Sequence, residues 1–277
     1  MHRLKQGIIV SLINLSAFVV PRVSAKISYH YWTRSFRYNR PRREKPAYEA
    51  AKKSTLVIDQ QKIALYQWGE GPRVLILHGW NGRATQLFRQ VEVLVEAGYQ
   101  VLGVDLPGFG DSEGEHSGLL PSKQVISKIA EEYGPFKAVV AHSFGWLVAI
   151  NCNPASFTEK LIGIAPPSDF NSLLKGFALH FRLKPRAARA LIKYVTEIYG
   201  IQDLQEISVA GLGSKLNIAG MIVYDTGDDK VPRSQIDSIM HFCPAFRLLL
   251  TQGMGHTRLL YDRQLAEQIE SFISQNN

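Results

Sequence analysis

Apolar positions from residue 55 onward fall into two alternating patterns. Short unbroken runs predict strands buried on both faces: Arg73-Val-Leu-Ile-Leu77, Gln100-Val-Leu-Gly-Val104, Lys137-Ala-Val-Val-Ala141 and Lys160-Leu-Ile-Gly-Ile-Ala165. Two further runs, at 217–224 and 245–250, have the same character. Thr55–Asp59 and Lys62–Trp68 flank Gln60-Gln61 and predict a hairpin. Between these runs, helical spacing marks 83–97 (Leu87, Val91, Leu94, Val95, closed by Gly98), 121–133, 144–151, a stretch from about 232, and 263–274. Strands alternating with helices predict a mostly parallel sheet covered on both faces.

Residues 167–215 break the alternation. They contain helical spacing and no convincing strand, which is the form of a lid inserted between two sheet strands. Phe170, Leu173, Leu174, Phe177 and Phe181 give this insertion an apolar side, divided between its own core and a substrate pocket. It also carries 7 Lys+Arg against 4 Asp+Glu, a hint of an acidic head group on the substrate.

The start of the chain is different. Gly7–Val20 is a 14-residue apolar stretch with a thin polar stripe at Gly7, Ser11 and Asn14, preceded by Arg3 and Lys5. Residues 22–38 mix aromatic residues with Arg and Lys, and 40–46 read as a polar, Pro-punctuated linker. Three readings fit this arm. It is a signal peptide with Val23-Ser24-Ala25 as a cleavage-like triplet, an interfacial anchor suited to anionic lipid, or a pair of helices packed on the body. The positive charges just after the apolar run argue against export, because such charges stay on the cytoplasmic side. The expected location is therefore cytoplasmic, with peripheral membrane contact through residues 1–53.

Charge sharpens this division. The 277 residues carry a net charge of +8. Residues 1–53 hold 12 Lys+Arg and 2 Asp+Glu, whereas residues 54–277 hold 20 and 22. The sequence pI of about 9.4 thus describes a basic arm on a near-neutral body, and no nucleic-acid partner is implied. No apolar run reaches the roughly 18–20 residues of a membrane-spanning helix. Cys152 and Cys243 stand alone, supply neither a disulfide framework nor a zinc site, and read as buried small hydrophobes.

Four features carry candidate chemistry, each at the C-terminal end of a predicted strand. In Ala141-His-Ser-Phe-Gly145 a serine stands at a strand-to-helix turn, with small residues two positions to either side. An ordinary serine N-cap would also fit that position. His78-Gly-Trp-Asn-Gly82 is a glycine turn that leaves backbone N–H groups free. Asp225-Thr-Gly-Asp-Asp-Lys-Val-Pro232 supplies carboxylates, and Gly253-Met-Gly-His256 a histidine. A histidine base needs a carboxylate to orient its ring. The chain order serine, acid, histidine is that of one fold family.

Together with Asp105-Leu-Pro-Gly-Phe-Gly-Asp-Ser112, read as a structural loop, these motifs resemble the α/β-hydrolase superfamily over residues 55–277. Ala141 stands where that family more often has glycine. The resemblance implies an eight-stranded, mostly parallel sheet with a helical lid and a serine hydrolase acting on an ester or related acyl bond. It implies Ser143 as nucleophile, His256 as base, and the N–H groups of Trp80 and Phe144 as the oxyanion hole. The acid lies in 225–229, with family spacing favouring Asp228 over Asp225 and Asp229. A serine, rather than an aspartate, at the nucleophile position argues against dehalogenase and epoxide hydrolase chemistry. No metal or organic cofactor is implied, and the expected partner is a small, hydrophobic acyl substrate. Two alternatives share these residues: acyl transfer or carbon–carbon bond hydrolysis, and a non-catalytic binding or membrane-associated protein on the same fold.

Overall fold

The computed structural model describes residues 2–275. The side chains of residues 1–6, Arg3 and Lys5 among them, lie outside the described residues. Eight strands form one sheet: Lys52–Ile58 (β1), Gln61–Trp68 (β2), Arg73–Leu77 (β3), Gln100–Val104 (β4), Ala138–His142 (β5), Lys160–Ile164 (β6), Ala219–Asp225 (β7) and Arg247–Thr251 (β8). Their order is β1-β2-β4-β3-β5-β6-β7-β8. β2 runs antiparallel to both β1 and β4, and every other pairing is parallel.

Twelve α-helices accompany the sheet among the described residues: His2–Val19 (α1), Pro21–Thr33 (α2), Lys45–Ala50 (α3), Phe88–Glu96 (α4), Leu119–Tyr133 (α5), Phe144–Ile150 (α6), Phe170–His180 (α7), Pro185–Tyr199 (α8), Val209–Leu212 (α9), Arg233–Phe242 (α10), Gly255–Arg258 (α11) and Arg263–Ser274 (α12). Alternate strand residues enter opposite cores, as the pleat requires. Leu75, Leu77, Val139 and Ala141 point into one, with α5, α6 and α10, while Val74, Ile76, Ala138 and Val140 point into the other, with α4 and α12.

Strand boundaries differ from the sequence expectation by no more than about three residues. The hairpin turn is Asp59-Gln60 rather than Gln60-Gln61. Ile58 pairs with Gln61, and both turn residues take positive φ, 48° and 64°. Of the two cysteines, Cys243 is buried, whereas Cys152 is only half-buried. The segment between β6 and β7 is helical throughout its regular structure, with α7, α8 and α9.

The stretch at 40–46 is no free linker. Glu44 is buried, and its carboxylate accepts from Arg83 Nε at 2.7 Å and Thr85 Oγ1 at 2.8 Å. The arm packs on the body: Ile13 and Ala17 of α1 meet Ala187 of α8. Asn14 faces inward, donating to the carbonyl of Arg182 and accepting from the N–H of Lys184. Ile8, Leu12, Leu15, Phe18 and Val19 face outward and are more than half exposed. The helix thus turns Asn14 toward the protein and these five large apolar residues away from it. No described helix is long and apolar enough to cross a membrane.

Candidate active site

Ser143 sits in the turn between β5 and α6 with φ 50° and ψ −117°. A side chain other than glycine pays roughly 1–3 kcal/mol for such a backbone, so the surroundings must hold it there. They do so through contact distance. A Cβ on Gly145 would stand 2.7 Å from the His78 carbonyl oxygen and 2.9 Å from that of Leu77. A Cβ on Gly79 would stand 2.8 Å from His142 Nδ1. The N–H of Ser143 donates to Ile164 at 3.0 Å, tying the turn to β6. Ala141 is fully buried in β5, and its methyl group fits the position.

Three parallel strands deliver three polar side chains to this edge of the sheet. His256 Nε2 lies 3.0 Å from Ser143 Oγ, and His256 Nδ1 lies 2.8 Å from Asp228 Oδ2. The Asp228 side chain is fully buried, whereas that of His256 is 15% exposed. Burial pushes the Asp228 carboxyl up. Its bonds to His256 and to the N–H groups of Val231 and Lys230 outweigh that and hold it below the usual carboxylate range.

The other two aspartates of the loop are occupied elsewhere. Asp225 accepts from the N–H groups of Gly227, Met254 and Gly255 and from the Thr251 hydroxyl. Burial works against ionisation, yet these four donors bring its carboxyl down to about 2. It thereby fastens the β7 loop to the loop that carries His256. Asp229 is exposed and pairs with Lys230.

Trp80 and Phe144 lie side by side, ring edge to face, with centroids 5.0 Å apart. Neither of their backbone N–H groups donates to another described residue. His78 Nε2 accepts the Leu106 N–H at 2.9 Å, and its Nδ1–H donates to the Gly79 carbonyl at 2.7 Å. Complete burial lowers its pKa to about 4, which keeps the ring neutral and able to accept. Asp105, at the head of the 105–112 loop, accepts from the N–H of Ala84 and so braces the same turn from below.

His142 was not singled out by the sequence. It is buried, and its ring lies tilted against that of His256, with centroids 5.0 Å apart. Burial, followed by the nearby His256 ring, lowers its pKa to about 3. The neutral ring donates from Nε2 to the His256 carbonyl at 3.0 Å, which sets the backbone of that residue. Its partner His256 lies 114 positions away in the chain, so only the fold reveals the pair.

A cavity of about 440 Å³ opens at Ser143. Trp80 and Phe144 line it from the sheet side, and Leu173, Phe177 and Phe181 from the helical segment after β6. Phe170 and Leu174 are instead buried in the core. A larger cleft, about 940 Å³, lies between α7, α8 and α10, and Ser143 and His256 do not line it. Among the described residues, no three His, Cys, Asp or Glu side chains are grouped to hold a metal ion.

Comparison with known proteins identifies the family. Residues 74–268 match the model of the Alpha/beta hydrolase family. The chain belongs to that family. It is an α/β-hydrolase enzyme whose named relatives are esterases and hydrolases. One relative is the pimeloyl-[acyl-carrier protein] methyl ester esterase of Aeromonas hydrophila, 24% identical over 258 residues, 76% of this chain and 99% of that protein. The same enzyme of Vibrio vulnificus is 28% identical over 149 residues, 53% of this chain, and that match spans only 55% of the relative. Among solved structures, a membrane phospholipase A superposes with a TM-score of 0.61 at 15% identity, covering 99% of this chain and 98% of that one. A putative lipase from Acinetobacter baumannii gives 0.64 at 16%, covering 83% and 93%. At such identities these structures share the fold.

Proposed function

We propose that the protein is a serine esterase in which Ser143, His256 and Asp228 form a catalytic triad, on residues 54–277 as the hydrolase domain. The observation that carries this reading is the unbroken chain of contacts from Ser143 Oγ through His256 to the buried Asp228, beside two unpartnered N–H groups. His256 Nε2 takes the hydroxyl proton as Oγ attacks the ester carbonyl. The N–H groups of Trp80 and Phe144 then hold the oxyanion, and one such donor is typically worth ~10²–10³ in turnover. His256 returns the proton to the leaving alcohol, leaving the acyl group on Oγ. It next deprotonates water, which releases the acid and restores Ser143. The helical segment 167–215 serves as a lid. The apolar lining of the cavity favours a hydrophobic acyl group.

A panel of p-nitrophenyl esters from acetate to hexadecanoate tests the reading. The wild type is expected to prefer a medium or long chain, and Ser143→Ala to lose activity on every ester while remaining folded. Activity retained in folded Ser143→Ala would refute the assignment.

Residues 1–53, in the same reading, hold the enzyme at a lipid surface. The support is the outward apolar row of α1, flanked by the exposed Arg182, Lys184 and Arg186 at the turn between α7 and α8. Arg186 lies over the Phe18 ring at 5.1 Å, so charge and apolar surface are contiguous. Such a pairing suits anionic head groups above acyl chains.

A further inference from the structure

The end of α2 and the segment that follows it are built into the cavity at Ser143. Trp32 stacks on Trp80, with ring centroids 6.0 Å apart and planes 11° from parallel. The N–H of Phe36 donates to Asn81 Oδ1 at 3.0 Å, in the same turn that carries the Trp80 N–H. The Tyr38 carbonyl accepts from Arg83 at 2.7 Å. These contacts fix residues 32–38 against the glycine turn, and Tyr31, Phe36 and Tyr38 line the cavity opposite Phe177 and Phe181. One wall therefore comes from a part of the chain outside the matched 74–268.

Arg34 lies in this wall. It is exposed, and its guanidinium makes no ion pair or hydrogen bond with another described residue. No Asp or Glu lines the cavity. His180 and the polar side chains of Asn81 and Ser143 complete a lining that is otherwise mainly aromatic. A free guanidinium at the edge of an apolar pocket is a receptor for an anionic group, because it offers forked donors to carboxylate or phosphate oxygens.

We propose that residues 31–38 of the arm form the substrate wall of the cavity at Ser143 and that Arg34 selects amphiphilic esters bearing an anionic group. This deepens the esterase reading and rests on it for the word substrate, but the binding it asserts is separable from catalysis. Apolar area on Phe36 holds the chain, and Arg34 holds the carboxylate or phosphate. Arg34 is a specificity-determining residue with no part in the proton transfers.

Titration calorimetry on the full-length protein tests this with three ligands of one chain length: octanol, octanoate and octyl phosphate. None contains an ester to cleave, so the result stands even if Ser143 is not the nucleophile. The wild type is expected to bind an anionic ligand at least fivefold more tightly than octanol. Arg34→Gln should abolish that preference and leave octanol unchanged, while Arg34→Lys keeps part of it. Phe36→Ala should weaken all three. Stronger binding of octyl phosphate would mark a phosphate-bearing substrate, and stronger binding of octanoate a carboxylate-bearing one. Equal affinity for all three ligands in the wild type, or an equal loss for all three in Arg34→Gln, would overturn the proposal. Both side chains are exposed, and circular dichroism on each variant separates a binding loss from misfolding.

Discussion

Three aspartates within five residues do three different things. Asp228 meets the imidazole, Asp225 gathers four donors, and Asp229 faces water beside Lys230. Their types are legible in the sequence, but their partners are not. The donors to Asp225 are Gly227, Thr251, Met254 and Gly255, and their convergence needs β7 and β8 side by side. The division has separable consequences. Asp228→Asn is expected to keep the fold and lower kcat by up to ~10⁴, as loss of a triad acid does through the wrong imidazole tautomer. Asp225→Asn should act first on stability, because three backbone N–H groups lose a charged acceptor at ~1.5–3 kcal/mol for such bonds. Its carboxyl sits at about 2, below the ordinary value, so the stability it supplies is complete above pH ~4 and is lost as the pH falls toward ~2. Thermal melts from pH 7 to pH 2 should show the difference between wild type and Asp225→Asn shrinking across that window. A kcat loss in Asp225→Asn larger than in Asp228→Asn would reverse the two roles.

At the scale of elements, the buried strands were readable because both faces are covered and the apolar runs are unbroken. Partly exposed pieces were harder. The hairpin turn lies one residue earlier than the sequence predicts because Asp59 and Gln60 both accept the left-handed backbone, a choice that composition alone does not settle. Residues 40–46 read as a linker in sequence because the partners of Glu44, Arg83 and Thr85, lie about forty positions away. The serine turn is the opposite case, since its spacing of small residues has a direct steric reason. In Gly145→Ala the new methyl group would meet two backbone carbonyl oxygens, which have nowhere to go. Overpacking of this kind costs about 1–3 kcal/mol. Melting curves should show a lower Tm, by ~2–4 °C for each kcal/mol in a domain of about this size. Ester turnover should fall further than stability alone explains, because Ser143 shifts with the turn. Unchanged turnover would mean that the close approach has no bearing on the serine.

The whole molecule joins a near-neutral body to a strongly basic arm, and the sequence left the arm's role open among three readings. Periodicity could not decide it, since Asn14 marks the inner face of α1 and not the outer one. Lipid contact is testable without truncation. Leu12→Asp with Leu15→Asp changes only outward residues, so the fold should persist. The wild type is expected to sediment with anionic vesicles at low salt and to be partly released at high salt, because surface charge is screened over ~10 Å at 0.1 M. The double variant should remain in the supernatant. Equal sedimentation of the two proteins would remove α1 from the lipid surface.

Every other proposed catalytic role depends on Ser143 being an activated nucleophile. An alkyl fluorophosphonate followed by peptide mass spectrometry measures that directly, without knowledge of the substrate. The phosphonyl group is expected on Ser143 in the wild type, with labelling slowed strongly in His256→Ala and absent in Ser143→Ala. A folded wild type that takes no label, or that is labelled equally when Ser143 is replaced, would contradict it.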